Sequence, residues 1–258
     1  MSVALTIAGS DPSGGAGLQA DLKTFQHLGV YGSSVVTLLT VQNTQGVADV
    51  RPMEPDFVVN QLCSVLDDLP IQAVKSGALG NVEIIHALEE ELRHFTFPLI
   101  VDPVMVSKHG HSLIDDDAVQ AMKKNVFPHA FMITPNMQEA SRLLAREITR
   151  DDDLEDVARE LAKLGPNNVL IKGDEVEGEK TDVLWSDGQA HRFTSRYVHT
   201  KNTHGTGCMY SAAITANLVK RYSLPTAVEM AKRYVTRAIE TNPGLGLGHG
   251  PVNFFAEV

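Results

Sequence analysis

The 258-residue sequence predicts one α/β domain, residues 1–258, built on a mostly parallel central sheet with helices on both faces and a small β flap. Three observations predict it. Short apolar runs rich in β-branched residues alternate with stretches of helical periodicity. Several of those runs end on a polar or glycine residue, and no repeat, linker or low-complexity tract divides the chain.

Val3 to Ile7 is the first apolar run. It ends in the glycine-rich segment Ala8 to Gly17, and Leu18, Leu22, Phe25 and Leu28 follow at helical spacing, so strand, loop and helix are expected in that order. The loop has no Gly-Lys-Ser/Thr ending and no Gly-x-Gly-x-x-Gly match, so it meets neither nucleotide fingerprint. Its glycines suit a ligand lying flat against the backbone, and Asp21 is placed to project toward the same space.

Val35 to Val41 is a second strand stopping at Gln42, after which Val47 and Val50 suggest the flap. Pro55 to Leu69 has helical periodicity, with Cys63 expected in the core. Ala73 to Gly77 is a buried strand with Lys75 at its end. Glu83 to Phe95 is a helix, and Leu99 to Val101 a strand leading into Asp102-Pro103-Val104-Met105. A helix with an acidic first turn covers Asp115 to Val126, and the strand Phe131 to Ile133 ends in Thr134-Pro135-Asn136. Glu139 lies three positions after Asn136, a spacing that serves a capping box or a metal or phosphate contact.

Asp151-Asp152-Asp153 opens a helix to Leu164, and the helix dipole accounts for its acidity. Val169 to Ile171 delivers Lys172 to the strand end. Asp182 to Trp185 and His191 to Thr194 form a hairpin across Ser186-Asp187-Gly188. Pro225 starts a last helix to about Thr241, and the tail Gly244 to Pro251 reads as flexible.

The polar stretch Lys201 to Cys208 runs straight into a further helix pattern, and the chemistry is expected there. Gly205 and Gly207 let the backbone approach a ligand closely, and the amides of a first helical turn bind anions. The field of that helix end is expected to lower the Cys208 thiol pKa. A capped helix with a small buried cysteine is the plainer alternative. In a parallel sheet Gly9, Gln42, Asp102, Asn136 and Lys172 converge on one rim, and a rim of carboxylates, a lysine and a helix start suits phosphoryl transfer with Mg²⁺ on the carboxylates.

A formal net charge of -10 and a pI near 5.4 argue against nucleic acid or an anionic membrane as partners. The N-terminus lacks the pattern of a signal peptide and no stretch is long enough to span a bilayer, so a cytoplasmic location is expected. Cys63 and Cys208 show no metal-ligand spacing.

Ala4 to Gly17, Gln19 to Lys23, Gln42-Asn43-Thr44, Asp102 to Met105, Thr134-Pro135-Asn136 with Glu139-Ala140, and His204 to Cys208 form an ordered set of blocks. The sequence that carries them resembles, over essentially its whole length, the hydroxymethylpyrimidine and phosphomethylpyrimidine kinases of thiamine biosynthesis, members of the ribokinase-like superfamily. The resemblance implies a ribokinase-like fold. It also implies ATP-dependent phosphorylation of 4-amino-5-hydroxymethyl-2-methylpyrimidine and then of its monophosphate.

Carried over by position, Gly205, Thr206, Gly207 and Cys208 are the anion hole, with Cys208 where many relatives hold an aspartate base. Gly9, Gln42 and Val104 line the pyrimidine, and Asp21 lies near the reacting hydroxymethyl. Asn136, Lys172 and Gly207 contact ATP, while Asp102 and Glu139 are the Mg²⁺ carboxylates. A homodimer is implied as well. Lys172-Gly173-Asp174-Glu175 departs from the usual Lys-Gly-Gly-His and is expected to bring acid to the nucleotide phosphates. Met209 replaces a threonine, Lys108-His109-Gly110-His111 replaces Lys-Ser-Gly-Asp, and Phe254 stands at a frequent histidine position. A pyridoxal-type kinase on the same scaffold and a non-catalytic pyrimidine-binding sensor are the competing readings.

Overall fold

In the computed structural model, the described residues are 1–106, 110, 114–149 and 152–257. Among them one ten-stranded sheet runs through the molecule. Its parallel centre is β2 (Tyr31–Asn43), β1 (Val3–Ser10), β4 (Ala73–Ser76), β5 (Leu99–Val101), β6 (Met132–Ile133) and β7 (Asn168–Ile171), in that spatial order. Antiparallel strands close both edges. β3 (Gly46–Pro52) pairs with β2 and is the flap, while β9 (Glu179–Ser186) and β10 (Gln189–Arg196) extend the sheet beyond β7. The two-residue β8 (Glu175–Val176), which has no sequence signal, pairs with β9.

The central strands read as unbroken apolar runs because both faces are covered. Leu99 and Val101 enter one core with Ile133, Val169 and Ile171. Ile100, Met132 and Leu170 enter the other, as the two-residue period of a strand requires. The first core is roofed by α2 (Pro55–Asp68), α3 (Val82–Arg93), α4 (Asp116–Asn125), α5 (Met137–Leu144) and α6 (Leu154–Ala162). The opposite face carries α1 (Gly17–His27), α7 (Thr206–Val219) and α8 (Leu224–Glu240). α7 packs between α1 and α8 and is buried almost all round, so its Ala-rich stretch Ala212, Ala213 and Ala216 lets neighbouring backbones close in.

Local chemistry sets the helix starts. Asn81, Asp115, Asn136, Asp153 and Ser223 accept from first-turn amides of α3, α4, α5, α6 and α8. α7 is different: Gly205 stands at its N-cap with φ 81°, and its first turn contains no acidic residue. A Cβ built on Gly205 would lie 1.7 Å from the Gly15 carbonyl oxygen, so the start of α7 sits directly on the glycine-rich loop after β1.

Three expectations need correcting. Cys63 is only partly buried, because α2 turns Val58 and Leu62 to the sheet. The tail is tied down rather than loose: His249 donates its backbone N–H to the Thr44 carbonyl at 2.8 Å, and Lys201 Nζ donates to the Leu247 carbonyl at 3.2 Å. α6 starts at Leu154 behind the Asp153 cap. Asp151, Lys108, His109 and His111 lie outside the described residues. No described helix is long and apolar enough to cross a membrane.

Replacing Gly205 with Ala forces a left-handed conformation that costs about 1–3 kcal/mol in a non-glycine residue, before the clash with Gly15 is counted. At about 2–4 °C per kcal/mol for a chain of this size, scanning calorimetry is expected to show Tm lowered by at least about 5 °C. An unchanged Tm would contradict the seating of α7 on the loop.

Candidate active site

A cavity of about 800 Å³ opens along the carboxyl ends of the parallel strands. Because β1, β4, β5, β6 and β7 all run the same way, each leaves its last residue on this rim. Gly9, Gln42, Lys75, Asp102, Asn136, Glu139 and Lys172 all line it, as do Val104 and the start of α7 from Gly205 to Cys208.

The first intrahelical bond of α7 joins the Met209 N–H to the Gly205 carbonyl at 2.8 Å, so the amides of Gly207 and Cys208 precede the helical ladder. Opposite them stands Lys172, whose Nζ donates to Asp102 Oδ1 at 3.1 Å and lies 3.9 Å from Glu139 Oε2. Gly207 borders the gap between the two. A Cβ there would point at Asp102 Oδ2 from 3.4 Å and at Lys172 Nζ from 3.6 Å, so the glycine leaves that space open. Asp102 is held in turn by the Thr134 hydroxyl at 3.2 Å and the Ser211 hydroxyl at 3.4 Å.

Burial lowers the Lys172 pKa, but Asp102 and Glu139 outweigh it and hold the ammonium above its ordinary range. Glu139 is pushed up to about 7, chiefly by burial, with Lys172 pulling down and Asp102 adding to the rise. Asn136 and Glu139 form the reciprocal capping box of α5 at 2.8 Å each way. The capping and cavity readings of this pair therefore both hold: Glu139 Oε2 caps α5 while facing Lys172.

The structure corrects two site expectations. Asp21 does not reach the cavity; it is fully buried, accepts from Lys75 Nζ at 2.8 and 3.0 Å and from the Thr6 hydroxyl at 2.6 Å, and presents Lys75 instead. Gly9 lines the cavity as expected, and a Cβ there would lie 2.5 Å from Cδ1 of Leu38, which lines it too. Cys208 faces the cavity as expected, yet its thiol pKa is pushed up to about 11. Burial is the main cause and Asp21 and Asp102 add to it. Together they outweigh Lys75 and the Gly17 N–H, so the helix-end field does not win.

Asp174 and Glu175 do not enter the cavity either. Asp174 borders a separate depression with Met137 and Leu154, and Glu175 accepts from the Gly178 N–H at 2.8 Å. Met209 is fully buried under the sheet and Phe254 is core, its ring beneath Lys23, so neither departure touches the site.

Sequence reasoning missed several residues. Lys75 signalled itself as a charge inside an apolar strand. Asp11 collects the loop: its carboxylate accepts from Ser13 N–H at 2.9 Å, Gly15 N–H at 3.2 Å, Ala16 N–H at 2.8 Å and His204 Nε2 at 2.7 Å. Those loop amides are turned inward onto a carboxylate and so are not offered to a phosphate. Farther along the cavity, Lys180, Lys232 and Asp182 gather beside β9, with Lys232 Nζ bonded to Asp182 at 2.7 Å. This group had no local sequence signal, because α8 and β9 meet only in the fold.

The phosphomethylpyrimidine kinase family model matches residues 11–253. The chain belongs to this family. It is a kinase with a ribokinase-like fold, and the matched span runs from Asp11 in the loop after β1, past α7, to the C-terminal segment. It is 43% identical over 256 residues to the hydroxymethylpyrimidine/phosphomethylpyrimidine kinase of Bacillus subtilis, covering 98% of this chain and 94% of that one. It is also 47% identical over 251 residues to the thiamine biosynthesis bifunctional protein of Geobacter sulfurreducens, covering 96% of this chain but 51% of that longer protein. Among solved structures, an ADP complex of Bacillus subtilis pyridoxal kinase superposes with a TM-score of 0.91 at 36% identity, covering 99% of this chain and 98% of that one.

The state of this kinase's Cys208 is directly measurable. In a Cys63→Ser background, alkylation of Cys208 by iodoacetamide is expected to quicken about tenfold per pH unit from pH 8 to pH 10 without levelling off, as the thiolate fraction grows below a pKa of about 11. Intact-mass kinetics checks this. A plateau near pH 7 would show a thiolate already formed at rest.

Proposed function

We propose that this chain transfers the γ-phosphoryl group of ATP to the hydroxymethyl group of 4-amino-5-hydroxymethyl-2-methylpyrimidine, and then to the resulting monophosphate to give the diphosphate. One observation carries the reading. Gly207 and Cys208, whose amides precede the helical ladder of α7, line a single cavity with Lys172, Asp102 and Glu139, and its wall also bears Gln42.

Phosphoryl transfer asks an enzyme mainly to align two oxygens and stabilise charge on the equatorial ones. The amides at the start of α7 serve those oxygens, and one such donor is worth about 10²–10³ in rate. Lys172, held in place by Asp102, reaches the same phosphoryl group from the other side. Lys180 and Lys232 give the far end of the cavity its positive charge and suit the remaining phosphates of the nucleotide. Gln42 offers a planar acceptor and donor to the aminopyrimidine edge.

Mg²⁺ fits Asp102 and Glu139. They are two carboxylates spaced around one lysine at the cavity wall, and this ion is commonly held by one or two carboxylates plus phosphate oxygens and water. Bound there it would supply charge neutralisation to the phosphates. Asp102 is one of the charges that raise the Cys208 thiol, so neutralising Asp102 would lower its pKa, and the thiolate left once its proton has passed to solvent would be the form able to take the proton of the acceptor hydroxyl.

The likeness to a pyridoxal kinase structure favours pyridoxal as a second acceptor. Incubation with ATP, Mg²⁺ and each alcohol, read by mass spectrometry, separates the two. The pyrimidine alcohol is expected to give mono- and then diphosphate with kcat/KM at least about tenfold above pyridoxal, and Lys172→Met to lower kcat about 10²–10³-fold. Phosphorylation of pyridoxal alone, or ADP release independent of either alcohol, would overturn the proposal.

A further inference from the structure

The cavity wall beside the start of α7 contains a hydrogen-bond chain whose protons can be counted. Asp11 is buried, and burial works to raise its pKa. Hydrogen bonds from His204 and Ser13 overcome that and hold it below the ordinary carboxylate range, so it is an acceptor. His204 Nε2 lies 2.7 Å from Asp11 Oδ2 and must carry the hydrogen of that bond, in the neutral ring as in the cation. A ring nitrogen that carries hydrogen has no lone pair in the ring plane and accepts nothing. The Thr40 hydroxyl likewise spends its single hydrogen on the Ser10 carbonyl at 2.9 Å, and therefore acts toward other neighbours only as an acceptor.

The Gln42 side chain sits between these two groups. Its Nε2 stands 3.3 Å from His204 Nε2 and its Oε1 3.4 Å from Thr40 Oγ1. In that orientation donor faces donor and acceptor faces acceptor. A 180° turn of the amide about its last bond leaves its shape unchanged and relieves both contacts: the NH₂ group donates to Thr40, and the oxygen takes the place of a donor beside the His204 N–H, whose hydrogen stays on Asp11.

We infer that the Asp11–His204 pair fixes the Gln42 amide with its oxygen on the His204 side and its nitrogen on the Thr40 side, and thereby sets which planar alcohol the cavity accepts. His204 immediately precedes Gly205, so the amide oxygen lies toward the anion-binding helix start and the amide nitrogen away from it. With the proposed function as its basis, this orientation requires a hydrogen-bond donor on the ring carbon next to the hydroxymethyl group, and an acceptor one atom farther on. A 4-aminopyrimidine has that order. A ring bearing a carbonyl or aldehyde beside its hydroxymethyl presents oxygen to oxygen and is disfavoured. Asp11 and His204 act as positioning residues for specificity, and Thr40 completes the clamp.

Nuclear Overhauser contacts of the Gln42 side-chain amide in wild-type protein test the orientation, with its signals identified by their loss in Gln42→Glu. Both amide hydrogens are expected to contact the Thr40 methyl more strongly than the His204 ring. Contacts to the His204 ring with none to Thr40 would overturn the inference. In the kinetic arm, wild-type kcat/KM is expected to favour the 4-amino alcohol over its 4-oxo analogue by at least about a hundredfold. Thr40→Val, which leaves Asp11 and His204 in place, is expected to cut that preference at least about threefold, with the change mainly in KM. An unchanged ratio would contradict the clamp. A protein that phosphorylates the pyrimidine alcohol while its amide contacts His204 sinks only this inference. One whose amide contacts Thr40 but which phosphorylates no pyrimidine sinks only the proposed function.

Discussion

Gly205 rests against the backbone of Gly15 with no room for a side chain, and His204 beside it is bonded to Asp11 at 2.7 Å. This one close approach joins the loop after the first strand to the start of the seventh helix, about 190 residues later in the chain. The α7 N-terminus is thereby set at the carboxyl rim of the parallel sheet, and the polar groups that line the cavity are arranged around it. A glycine is required on steric grounds. A left-handed N-cap is also compatible with leaving the first-turn amides open, because no capping side chain accepts from them.

Charge is concentrated under and around that helix start in pairs that stability alone does not explain. Lys75 with Asp21 is fully buried, and Lys172 with Asp102 nearly so. Burying an ion pair costs about as much as its attraction returns, so such pairs are weak contributors to folding. Their value here is placement. Asp21 presents Lys75 to the cavity, and Asp102 holds Lys172 across from the open amides. Burial, with the same carboxylates adding to it, raises the Cys208 thiol, so the cysteine rests protonated until its surroundings change. A site that loads a polyanion and a divalent cation changes that charge.

Much of this was legible in the sequence. Apolar runs ending in polar residues located the parallel strands, and the turn Asp187-Gly188, both residues at positive φ, marked the hairpin of β9 and β10. The rim residues Gln42, Asp102, Asn136 and Lys172 followed from the rule that parallel strands share one carboxyl edge. Other features depend on depth. Asp21 was legible as a carboxylate near the loop, but its burial beneath Lys75 was not, because one helical turn decides which way it faces. The Cys208 pKa failed for a related reason: the helix-end field is local and visible in sequence, whereas desolvation and two distant carboxylates are not. Asp182 with Lys232 joins a strand to a helix some 50 positions away, and no pattern in the chain announces it.

The central claim is that the start of α7 and Lys172 grip one phosphoryl group from opposite sides while a planar alcohol is held against Gln42. A crystal structure with the β,γ-methylene analogue of ATP, Mg²⁺ and the pyrimidine alcohol tests it most directly. The account predicts the terminal phosphoryl oxygens on the Gly207 and Cys208 amides, Lys172 within bonding distance of them, and the hydroxymethyl oxygen beside Cys208 Sγ. A triphosphate seated in the Gly14 to Gly17 loop, or a hydroxymethyl group turned away from Cys208, would contradict it.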